Sequence, residues 1–146
     1  MEMTISVIAL AFSFVSGIFA LYTFAWTARR DRKQATLDAF NSLQEQALDT
    51  LNKYTGTEIR RIVEEKNKEE YRTLSKCLAR LEHFSVGVNT GIYDRKTVYE
   101  LAHGYLDVAI WYKLQPMLEQ KQKGKQEDYY ANYCKLVEWM KSRKSS

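Results

Sequence analysis

The sequence predicts an all-α protein in which one N-terminal transmembrane helix continues into a cytoplasmic bundle of four or five helices. Three observations predict it. No residue between Met3 and Ala28 is charged. A basic cluster, Arg29-Arg30-Asp31-Arg32-Lys33, follows at once. Beyond it, apolar residues recur at steps of three and four, with no strand-like alternation, repeat or low-complexity segment. The expected division is a span over 1–28, a helical domain over 29–141 and a frayed tail over 142–146.

The uncharged run exceeds the roughly 20 residues that cross a bilayer core. Tyr22 and Trp26 fall near its end, where aromatic rings favour the headgroup zone. A cleaved signal peptide would need a basic N-terminus, but the chain begins Met-Glu-Met and its basic cluster lies on the far flank. By the positive-inside rule Arg29, Arg30, Arg32 and Lys33 sit at the cytoplasmic membrane surface. The first residues then face outward.

A second pattern runs through the span. Ser6, Ala9, Ser13, Ser16, Ala20, Thr23 and Thr27 form a heptad seam of small or hydroxylated residues. Ile8, Phe12, Phe14, Val15, Ile18, Phe19 and Phe24 occupy other faces. Small residues let helices approach closely in lipid, and hydroxyls can bond across the contact. The seam therefore predicts a homo-oligomer, or a hydroxyl stripe lining a narrow pore. The plainer reading is that Ser, Thr and Ala are common in membrane helices.

Helix is expected to continue from Lys33 to Tyr54, with Phe40, Leu43, Ala47, Leu51 and Tyr54 at helical spacing and no Gly or Pro separating it from the span. Such a rod would connect lipid to the soluble core. Tyr54-Thr55-Gly56-Thr57 is a break, and Thr55 with Glu58 fits a capping box. Tyr71, Leu74, Leu78, Leu81 and Phe84 mark the next apolar face, which ends near Gly87, Asn89 and Gly91. Asp94 reads as an N-cap. It opens one helix through Val98, Leu101, Tyr105, Leu106, Ala109, Ile110 and Leu114, which Pro116 should end or kink. Lys121 to Glu127 reads as a charged loop. The last helix is expected over Asp128–Lys141, with Tyr129, Tyr133, Leu136, Val137 and Met140 inward.

The charge balance excludes several functions. The 22 Lys and Arg all follow the uncharged run, as do all the acids but Glu2, which leaves about +5 on the soluble part. That suits anionic lipid or a nucleotide but not duplex DNA. Arg60, Arg61, Lys66, Lys68, Lys121, Lys123 and Lys125 are candidate anion contacts, each mixed with acids or amides. Cys77 and Cys134 lack paired spacing and read as buried apolar residues. Nothing predicts an enzyme, a cofactor or a metal. Arg80 and His83 have two residues between them, and Arg95 and His103 seven, so neither pair fits an Arg-(four to six)-His nuclease spacing. Glu82 sits close to the apolar face. It is expected to pair with a cation, to cap a neighbouring helix or to join Arg80 and His83 in a ligand site or polar network.

Leu81-Glu82-His83-Phe84-Ser85-Val86-Gly87-Val88-Asn89-Thr90-Gly91-Ile92-Tyr93-Asp94, with Tyr105, Trp111, Leu114, Pro116 and Met117, resembles a bacterial family of short single-pass proteins. Their helical cytoplasmic domain has no assigned function. The layout is also similar to the small membrane-anchored accessory effectors of CRISPR systems. That resemblance implies the bacterial inner membrane. It also implies partnership with a CRISPR effector or a cyclic oligonucleotide, and pore formation or depolarisation in antiviral defence. The alternative is a membrane-tethered module that senses a nucleotide or protein without forming a pore.

Overall fold

The computed structural model describes residues 2–65, 68–123 and 129–144, with side chains for 9–65, 69–121 and 129–143. Among these residues the structure is helical and contains no strand. Helix α1 runs from Glu2 to Leu43. A π turn over Gln44–Leu48 carries it without a break into α2, Asp49–Asn52. This is the rod expected from the missing breakers, and it is about 75 Å long. The wide turn inserts a residue into the helical count. As a result Ala47 and Leu48 both point inward and the buried face stays on the bundle.

Helix α3 spans Gly56–Glu65 and α4 spans Lys68–Asn89. The predicted capping box is present at the start of α3. Thr55 N donates to Glu58 Oε2 at 2.7 Å, and Glu58 N donates to Thr55 Oγ1 at 3.2 Å. Leu74, Cys77, Leu78, Leu81, Phe84 and Val88 bury one face of α4, making it the spine of the bundle. The helix stops where Gly91 takes φ +79°, a conformation glycine adopts without strain. Gly87 has a different constraint, since a Cβ there would collide with the ring of Tyr93 packed across it.

Two later expectations are corrected. The helix after Asp94 is not continuous. Helix α5 covers only Arg95–Ala102, and Gly104 at φ +80° breaks the chain before a π turn over Tyr105–Ile110. Asp107, buried, accepts a hydrogen bond from Gly104 N and holds that turn. The break rotates the pattern, so Leu101 and Ala109 are exposed rather than inward. Pro116 does not end the next helix, since α6 runs from Trp111 through it to Lys123. Its ring removes one N–H, but buried Leu114, Met117 and Leu118 hold the helix on both sides.

Helix α7 begins at Ala131 and extends to Lys144, three residues into the stretch read as a tail. Tyr129 is exposed, not inward. Tyr130 takes the buried place instead, at φ +66°. Tyr133 is buried among Leu136, Val137 and Met140, and its hydroxyl donates to Leu106 O at 2.8 Å. Asp128 and most of the expected loop fall outside the described residues.

Candidate membrane span and its junction with the bundle

The apolar part of α1 is long and apolar enough to cross a membrane, with a best 18-residue window of mean hydropathy 1.7. None of that window is buried within the chain. Leu10, Phe14, Leu21 and Phe24 each stand more than 70% exposed. A soluble core helix would bury such side chains, so their cover has to come from outside the chain.

The seam residues Ala9, Ser13, Ser16, Ala20, Thr23 and Thr27 are all exposed, while the side chain of Ser6 lies outside those described. Ser13 Oγ donates to Ala9 O at 3.0 Å and Thr23 Oγ1 to Phe19 O at 2.6 Å. These bonds commit each hydroxyl proton to the helix's own carbonyl and lower the cost of placing the group in lipid. The hydroxyl oxygens keep free lone pairs for a neighbouring helix.

Where the bundle grips α1 decides which way the seam faces. Thr36 is fully buried, as are Ala47 and Leu51 further along, and Phe40 is half-buried. Thr36 follows Thr27 by nine residues, about two and a half helical turns, so the two stand on opposite sides of the helix. The seam therefore points away from the bundle. Beyond Thr27 its line continues through Gln34, Asp38, Asn41 and Glu45, none of them buried. The bundle does not obstruct a second helix lying along this side.

Thr36 also joins α1 to α5. Its hydroxyl donates to Arg32 O at 2.7 Å and accepts from Asp94 N at 2.8 Å. Asp94 Oδ1 in turn accepts from Thr97 N and Oγ1 at 2.8 and 2.7 Å, the N-cap predicted from sequence. These Thr97 bonds hold the Asp94 carboxyl below its ordinary pKa, and the positive charges of Lys33 and Arg32 act in the same direction. Of the basic cluster, Arg29, Arg30, Arg32 and Lys33 are all exposed. Thr36 carries no signal in the sequence, since a lone threonine in a charged helix reads as surface.

The structure divides the predicted trio Arg80, Glu82 and His83. Glu82 caps α7, the second of the three roles expected for it, with partners that lie across the fold rather than along its own helix. Its Oε1 accepts from Asn132 N and Nδ2 at 3.1 and 2.8 Å, and its Oε2 from Tyr133 N at 2.8 Å. A carboxylate on the first free N–H groups of a helix also complements the helix dipole. Arg80 and His83 are both exposed, on another side of α4. With Ser42, Gln46, Phe84 and Tyr93 they line an open groove of about 110 Å³ between α1 and α4.

Other candidates are dispersed. Arg61 pairs with Glu65 on the α3 surface. Lys121 lies over the rings of Tyr71 and Tyr129. Lys66, Lys125 and the side chains of Lys68 and Lys123 are outside those described. Cys77 is buried and Cys134 half-buried, both free, and burial pushes both thiols up. Among the described residues no His, Cys, Asp and Glu cluster could hold a metal.

Residues 10–140 match a family described as a domain of unknown function, DUF4760. The chain belongs to the DUF4760 family. The match opens inside the apolar helix and closes in α7, so DUF4760 takes in most of the uncovered stretch as well as the bundle. No curated protein and no solved structure matches the chain.

Proposed function

We propose that this DUF4760 protein is a non-enzymatic, membrane-anchored effector that self-associates through the α1 seam and acts on the bilayer, by opening a pore or dissipating the membrane potential. One observation carries the reading. The small-residue seam is uncovered along α1 and faces away from the bundle, so copies can pack span against span while each bundle stays outside the contact. The unbroken helix from lipid to core supplies the path by which a change in the bundle reaches the span. A place in antiviral defence draws its support from the shared layout with CRISPR accessory effectors.

The test is expression in bacteria with a potential-sensitive dye, alongside sizing in mild detergent. An assembly larger than a monomer, with loss of potential that Ser13→Leu with Ser16→Leu abolishes, supports the reading. A strict monomer with unchanged potential overturns it. An oligomer that leaves the potential intact moves the assignment to a tethered binding module, for which the Arg80–His83 groove is the first place to look.

A further inference from the structure

We infer that the bundle itself rests on the cytoplasmic headgroups, through a second membrane contact made by the turn between α4 and α5 and the Arg95–Trp139–Arg143 stack. This rests on the reading of α1 as a membrane span.

The contact surface is held at the membrane end of the bundle by the Asp94 N to Thr36 Oγ1 bond. Thr36 lies about 14 Å along the helix axis from Thr27. At the tip of the turn Ile92 is 63% exposed, an isoleucine in a position where a polar residue would serve a soluble turn better. Three residues further along the chain, the Arg95 guanidinium lies 4.8 Å over the Trp139 ring, and Arg143 lies 5.3 Å over the same ring. Arg95 is steadied further by Asn89 Oδ1 at 3.2 Å. The Asp94 carboxylate, the nearest acid in sequence, is engaged by Thr97, and Glu100 is paired with Lys96. Arg32, Lys33, Arg95 and Arg143 outnumber the acids Asp31 and Asp94 beside them, so this end of the molecule is cationic around an exposed aliphatic and a tryptophan. That composition suits anionic phospholipid headgroups, with the tryptophan at the water–lipid boundary.

Helix tilt closes the remaining gap. The run Met3–Ala28 is about 39 Å long as a helix, against a hydrocarbon core of about 30 Å. A span with excess length tilts. The bundle sits on one side of α1, so tilt toward that side lowers Ile92, Arg95 and Arg143 to the surface. It also leaves the seam on the opposite, upper side of the helix, open to a second copy.

The test uses the full chain in nanodiscs of phosphatidylcholine with and without phosphatidylglycerol, doped with a nickel-chelating headgroup lipid. Spin labels are placed one at a time at Ile92→Cys, at Thr57→Cys on the far end of the bundle and at Tyr22→Cys in the span, with the two native thiols replaced by serine. The expected result is nickel-driven relaxation at position 92 several-fold above that at 57, greater in the anionic discs. Each of Arg95→Glu and Arg143→Glu should weaken the lipid-bound arrangement about fivefold. Hydrogen exchange of the unsubstituted protein repeats the measurement without any variant, with slower exchange over residues 90–96 expected only in anionic discs. Equal relaxation at 92 and 57, with the label at 22 in hydrocarbon, overturns this inference and leaves the span standing. A label at 22 outside lipid overturns both.

Discussion

The two halves of one helix make the most informative contrast in the molecule. Leu10, Phe14 and Phe24 are almost bare, whereas Leu48 and Leu51, further along the same continuous helix, have no exposed surface. Residue type does not separate them, since both halves carry large apolar side chains. The difference is the source of the cover. In the second half α4 and its neighbours supply it, and each buried leucine contributes about 1.5–3 kcal/mol to folding. In the first half nothing among the described residues supplies it, so the cover has to come from elsewhere. Substitutions should therefore sort by position along a single helix: bundle stability responds to one half and association to the other.

The sharpest test of that contrast is Leu78→Ala in the α4 spine. It should cost about 2–5 kcal/mol, read as a lowered thermal midpoint by near-ultraviolet circular dichroism. The chain should still partition into membranes, and its loss from them would mean that the bundle rather than the apolar helix holds it there. Next, Glu82→Ala strips the cap from α7 and leaves Asn132 N and Tyr133 N without their acceptor, at about 2 kcal/mol. Glu82→Gln should recover part of that loss, because its amide oxygen still accepts. Thr36→Val keeps the shape but removes the acceptor of Asp94 N, at about 1 kcal/mol or somewhat more. It should also speed hydrogen exchange in the turn before α5 more than elsewhere, and uniform exchange would show that Thr36 does not couple the two elements.

Acid should act on the bundle through Asp94 and Glu58. Both carboxyls titrate below their ordinary values because of bonds to Thr97 and Thr55. Their folded pKa values are lowered, so their contribution is complete above the ordinary carboxyl range, near 4, and is lost as pH falls through the lower folded values. The thermal midpoint should fall below about pH 4, and Asp94→Asn should flatten part of that fall. The smallest effect on the bundle is expected from Ala20→Leu, which touches nothing in the chain. It should leave bundle stability within about 0.5 kcal/mol while reducing the oligomer seen in mild detergent.

Local chemistry was legible where the partners lie close in sequence. The Thr55–Glu58 box and the Asp94 cap each close within three residues, and the Gly91 stop needs only its own backbone. The break at Gly104 was hidden because the apolar residues on either side fit one helical period. The available signal was a glycine followed by Asp107 at capping distance. Pro116 misleads for the opposite reason, because a local rule against proline yields to the burial of Leu114, Met117 and Leu118. Glu82 could be placed near a partner but not assigned one, since the N–H groups it binds lie fifty residues away. Tyr129 and Tyr130 are adjacent, and only the left-handed turn at Tyr130 determined which of them goes inside.

By itself, then, the amino-acid order determined that the chain is helical, that one uncharged segment is long enough for a bilayer, and where several helices begin. These depend on composition and on contacts a turn or two apart. Tertiary structure alone decided that the seam faces away from the bundle, that Thr36 joins α1 to α5 and that Glu82 holds α7. Each of those depends on which side of a helix meets a distant segment, and helical periodicity defines the sides without naming the neighbour.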